Sequence, residues 1–163
     1  MTLDISSSDV LDNLSTYAPA KQKEILEILH NLEDAKNREK CQEKYLPFVK
    51  HMWPAFINGN HHKIMADAFQ DVVDGKLKRL IINMPPRHTK SEFASYLLPA
   101  WFLGKFPGKK VIQTAHTAEL AVGFGRKVRN LVGDKDFQGV FGDVKLQSDS
   151  KAAGRWNTNK GGE

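Results

Sequence analysis

Lys90 and Ser91 close the run Leu80-Ile81-Ile82-Asn83-Met84-Pro85-Pro86-Arg87-His88-Thr89-Lys90-Ser91-Glu92. A lysine followed by a hydroxyl residue, where a loop turns into a helix, suits the binding of a phosphate. The start of a helix offers backbone N–H groups and about half a positive charge to an anion. The lysine reaches terminal phosphate oxygens as a mobile cation, and the neighbouring hydroxyl contacts a magnesium ion carried by the nucleotide. A lysine at that position with no ligand would oppose the helix dipole, which favours a functional reading over a surface one. The usual loop pattern, G-x-x-x-x-G-K-[ST], is not matched. Met84 and Thr89 occupy its glycine positions. Glycine is usual there because the loop visits backbone angles that a side chain resists, so Thr89 departs from the usual loop geometry unless one residue is held strained.

Other candidate groups carry less. His61, His62 and His116 invite a metal reading, but no cysteine partner or His-x3-His spacing accompanies them, so no metal site is expected. Thr114 and His116 fall at the end of an expected strand, where ligands of open α/β sheets bind. Gln113, inside that strand, is expected to be structural. Cys41 stands alone, which excludes an internal disulfide framework, and its neighbours do not make a nucleophile's setting.

The elements that must position Lys90 follow from hydrophobic spacing. Residues 1 to about 17 are polar and aperiodic. From Pro19 to about Lys40, Ile25, Ile28, Leu29 and Leu32 repeat at helical intervals. This predicts an amphipathic arm whose stripe packs on something. Tyr45 to Pro54 is aromatic-rich and bounded by prolines. A helix is expected from about His61 to Asp74, stopped by Gly75. Leu80-Ile81-Ile82 and Val111-Ile112-Gln113-Thr114-Ala115 read as buried strands. Lys90 to about Leu98 reads as a helix ended or kinked by Pro99. Thr117 caps a further helix carrying Leu120, Phe124, Val128 and Leu131, and beyond Gly133 no strong period remains.

Strand, helix, strand, helix predicts an α/β fold. The expected architecture is a P-loop NTPase-type parallel sheet with flanking helices, incomplete, preceded by an α-helical arm. The expected division is a flexible terminus and amphipathic helical arm over 1–44 and the N-terminal part of a P-loop domain over 45–163.

The 163 residues carry a formal net charge of +5, unevenly spread. Residues 76–130 hold eleven Lys/Arg against two Asp/Glu, a local +9, while the remainder sums to −4. Such a segment suits a polyanion, although a solvated basic face gives the same pattern. No apolar run approaches a membrane span and no signal pattern opens the chain, so a cytosolic protein with no membrane partner is expected.

The stretch Met84-Pro85-Pro86-Arg87-His88-Thr89-Lys90-Ser91-Glu92 resembles the Walker A loop of phage terminase large subunits, in which glycine often stands where Thr89 does here. The resemblance continues through the helix near His61–Asp74, through Val111-Ile112-Gln113-Thr114-Ala115-His116, and into Trp156-Asn157-Thr158-Asn159-Lys160-Gly161-Gly162. It implies an ATPase that assembles as a homo-oligomeric ring with a portal protein and a small terminase subunit. Such a ring drives double-stranded DNA into a procapsid in the host cytoplasm. On this resemblance, Pro86, Arg87, His88, Thr89, Lys90 and Ser91 hold ATP, and Ser91 touches its Mg2+. Lys90 and Arg87 act on the γ-phosphate, where positive charge stabilises the charge that develops.

An ATPase of this kind also needs an aliphatic strand ending in Asp-Glu. Neither Val72-Val73-Asp74 nor Val140-Phe141-Gly142-Asp143 qualifies, and the family's nuclease carboxylates have no counterpart. The expectation is therefore a truncated ATPase part that turns over little alone. Two other readings stay open: a helicase-like DNA-dependent ATPase, and a basic DNA-binding or adaptor module without nucleotide chemistry.

Overall fold

Four aromatic-bearing segments between Glu39 and Glu163 bury their rings against one another, and this decides the architecture. The computed structural model describes residues 14–151 and 154–163, without the side chains of 149–151. Two units are distinguished, Met1–Arg38 and Glu39–Glu163.

Among its described residues the first unit holds a 3-10 turn, Leu14–Thr16, and helix α1, Pro19–Glu43, as far as Arg38. The predicted helix is present, with Ile25 and Leu29 of its apolar stripe partly buried. Ile28 and Leu32 are about half exposed, at 50% and 52%. Lys21–Glu24 and His30–Asp34 pair along its surface at helical spacings.

The second unit contains α2 (Tyr45–Met52), α3 (Asn60–Val73), a π-helical turn (Glu92–Leu97) continuing as α4 (Leu98–Lys105), α5 (Ala118–Val132) and α6 (Lys135–Val140). Strand β1 (Leu146–Lys151) pairs antiparallel with β2 (Trp156–Thr158). Tyr45 is the hub of the core. Its ring meets Phe69 and Phe93 edge-on at 5.5 and 5.7 Å, and Trp101 at 5.4 Å. Its hydroxyl donates to the Phe93 carbonyl (2.7 Å), and Trp101 donates its Nε1–H to the Cys41 carbonyl (2.8 Å). Both polar tips are thereby satisfied inside an apolar environment. Burial pushes the Tyr45 hydroxyl well above its ordinary pKa. A second aromatic group, Phe48, Phe137 and Phe141, packs beside Gly104.

The predicted α/β fold with a parallel sheet is overturned. The protein is mostly helical, and its only sheet among the described residues is the two-stranded antiparallel β1–β2 pair. Leu80-Ile81-Ile82 and Val111 to Ala115 form no strand. A short apolar run becomes a strand only when a neighbour offers a matching ladder, and these two runs do not pair with each other. The Val111 N–H instead donates to the Glu163 carbonyl at 2.7 Å, and the Glu163 N–H donates to Lys109 at 3.2 Å. Ile81 and Ile112 are left 86% and 90% exposed, so the burial assumed in reading them as strands is absent. The Trp156 segment does form a strand, but in an antiparallel hairpin.

Pro99 neither ends nor kinks its helix sharply. The preceding turn widens to π geometry, and the chain continues through Pro99 to Lys105. Proline cannot donate to the carbonyl four residues back. That carbonyl, on Ser95, accepts instead from the Gln113 side chain at 2.7 Å. Gln113 therefore satisfies a backbone group that Pro99 leaves open.

Candidate functional site

The loop 84–91 joins the uncovered run Leu80-Ile81-Ile82 to the helical segment opening at Lys90. Its backbone contains the only two non-glycine residues with positive φ among those described, Arg87 at 64° and Thr89 at 56°. Thr89, at a position where glycine is usual, does take the left-handed conformation. Arg87 adds a second left-handed residue that the glycine pattern did not point to. Alternating backbone hand over successive residues is the arrangement that gathers N–H groups into an anion-binding concavity. The N–H groups of Thr89, Lys90 and Ser91 have no backbone acceptor, as expected where a helix begins. The helix is under way at once, since the Phe93 N–H donates to the Thr89 carbonyl at 3.0 Å.

The cationic side chains stand around this turn. Lys90 donates from Nζ to the Met84 carbonyl at 3.2 Å, so its ammonium spans the loop from helix to entry. Arg87 and His88 are exposed, and Pro86 and Ser91 are exposed beside them. His88 donates from Nδ1 to the Pro86 carbonyl at 2.9 Å, which closes the tip of the loop. Lys90 and Ser91 also line an open hollow with Phe69, Lys78, Ile82 and Ala94. The six predicted ligand-contacting residues, Pro86 to Ser91, thus lie on one turn, with Arg87 exposed and Lys90 half-buried against the Met84 carbonyl.

Other predicted candidates lie elsewhere. Thr114 lines a second trough with Ser91, whereas His116 borders a separate hollow along α5 with Arg126 and Lys127. Neither residue hydrogen-bonds to the loop. Among the described residues no group of three or more His, Cys, Asp or Glu is placed to hold a metal ion. Cys41 is buried and its thiol pKa is raised by that burial, so it is no nucleophile.

One residue was missed by sequence reading. His62, the third residue of α3 and only 6% exposed, reaches Thr89 with Nε2 at 2.6 Å from Oγ1. It was considered only as a metal ligand. The available signal was its place in Gly59-Asn60-His61-His62, where a side chain three residues past an N-terminal cap turns back on the backbone. The Gly59 N–H does donate to His62 Nδ1 at 2.9 Å. A Cβ on Gly59 would lie 2.9 Å from the His61 ring, which would have to shift to admit it.

No helix among the described residues is long and apolar enough to cross a membrane. Comparison with protein-family profiles, with curated proteins and with solved structures returned no match.

Proposed function

We propose that residues 84–91 bind the phosphates of Mg-ATP, and that the chain supplies this loop to a DNA-packaging ATPase of the terminase large-subunit kind. The observation that carries the first part is the coincidence of two left-handed residues, Arg87 and Thr89, with a helix that opens on Lys90-Ser91 and has free N–H groups. Strained backbone of this sort persists only where its surroundings hold it, and it concentrates at ligand sites. Lys90 supplies a mobile cation to the terminal phosphates, Arg87 a planar one, and the exposed Ser91 hydroxyl faces the magnesium that the nucleotide brings.

The second part rests on the resemblance of Met84–Glu92. With it come double-stranded DNA, a portal protein, a small terminase subunit and further copies of the chain as proposed partners. The basic segment supports the DNA partner, since Lys109, Lys110, Arg126 and Lys127 are exposed.

Calorimetric titration of Mg-ATP into wild-type protein and Lys90→Ala tests the nucleotide reading. Loss of a charge-assisted contact predicts an affinity about 10- to 100-fold weaker for the variant, with an unchanged circular dichroism spectrum. Equal binding by both proteins would refute the role of Lys90. The same exposed lysines and arginines favour one alternative, a DNA-binding module without nucleotide chemistry. It predicts DNA affinity that falls steeply with salt and is indifferent to Lys90→Ala.

A further inference from the structure

Three hydrogen bonds run in one direction through His62. The Gly59 N–H donates to Nδ1 (2.9 Å), so that nitrogen carries no proton and the proton of the neutral ring sits on Nε2. Nε2–H then donates to Thr89 Oγ1 (2.6 Å), and the Thr89 hydroxyl donates to the His88 carbonyl (2.7 Å). The ring itself is fixed between apolar faces. It stacks on Phe93 at 5.0 Å and meets Phe56 edge-on at 4.7 Å. A buried, oriented imidazole thus grips the side chain of a β-branched residue at φ 56°, a conformation costly for any residue but glycine.

We propose that His62 is a positioning residue of the phosphate loop: its neutral imidazole holds Thr89 in the left-handed conformation that glycine would adopt unaided, and so keeps the N–H groups ahead of Lys90 and Ser91 turned toward the ligand. This proposal rests on the reading of 84–91 as a phosphate loop. It explains how a threonine serves at a glycine position, and it makes the loop sensitive to acid. Protonated at Nδ1, His62 would present a second donor to the Gly59 N–H, and the brace would open. The groups facing His62 are His61 at 3.8 Å between ring centroids, His88 beyond it at 5.8 Å from His61, and the two phenyl rings. No carboxylate forms an ion pair with His62 among the described residues, so nothing nearby favours its cation. Burial, and after it the cationic forms of His61 and His88, hold its pKa below the ordinary 6.5. The neutral, gripping form therefore prevails at neutral pH and is lost as pH falls.

The test is a double-mutant cycle on the full chain, read as affinity for a fluorescent Mg-ATP analogue. His62→Phe keeps the ring between Phe56 and Phe93 but cannot donate. It should weaken binding about tenfold, the size of one left-handed backbone penalty. Thr89→Gly sets its own reference affinity, and His62→Phe combined with Thr89→Gly should match Thr89→Gly alone. Wild-type affinity should drop between about pH 7.5 and about pH 5.5, and that of Thr89→Gly should drop less. If His62→Phe binds as wild type, or if glycine at 89 fails to rescue it, the positioning role is overturned while the loop reading stands. If wild-type protein binds no nucleotide, the loop reading fails. Imidazole ¹⁵N shifts then judge the grip itself: a proton on His62 Nε2 sustains it, and a proton on Nδ1 overturns it.

Discussion

At the scale of single residues, the site is a small set of groups whose neighbours fix their state. Lys90, Arg87 and Ser91 supply charge and a hydroxyl, while His62 and Gly59 supply shape. The pH dependence of folding follows from His62. Its folded pKa lies below the ordinary 6.5, so the unfolded chain takes up the proton first as pH falls. Its contribution to stability is complete above about pH 6.5 and declines below it. Urea titrations across this range should show a falling midpoint for wild type and a flatter profile for His62→Phe. Tyr45 offers a second test. Tyr45→Phe removes the 2.7 Å donor to the Phe93 carbonyl, which keeps the Leu98 N–H, and should cost about 1 kcal/mol in the same assay.

At the scale of elements, the helix Glu92–Lys105 is held by a bond that its own sequence cannot make. Gln113→Ala should cost about 1 kcal/mol because it strips the donor from the Ser95 carbonyl. In a Pro99→Ala background, where residue 99 regains an N–H, the same change should cost measurably less. Equal costs in both backgrounds would contradict this account. Gly104 is an equally local device, since a Cβ there would fall 2.5–2.8 Å from the Phe141 ring. Gly104→Ala should destabilise by about 1–3 kcal/mol, read by thermal denaturation.

These elements also mark what could be read in advance. The helix Asn60–Val73 was legible because its apolar positions recur on one face and Gly75 ends it with φ 76°. Thr117 was legible as a cap, and its hydroxyl accepts from the Leu120 N–H. Leu80–Ile82 and Val111–Ala115 were misread because a short apolar run says nothing about whether a partner strand exists. β1 was missed because Leu-Gln-Ser-Asp-Ser-Lys has no apolar alternation to reveal it. Strain at Thr89 was legible from the displaced glycine. The histidine that holds it lies 27 residues away, a distance no local pattern spans.

For the Glu39–Glu163 unit as a whole, an aromatic core sits behind a loop of cations, with the basic residues of 105–130 on the surface. The central claim is that nucleotide phosphates settle on 84–91 and not on that general basic surface. Hydrogen–deuterium exchange with and without Mg-ATP separates the two directly. The account predicts slowed exchange confined to peptides covering 84–93 and the start of α3 near His62, and its loss in Lys90→Ala. Protection spread over the basic stretch 105–130, or none at the loop, would contradict it.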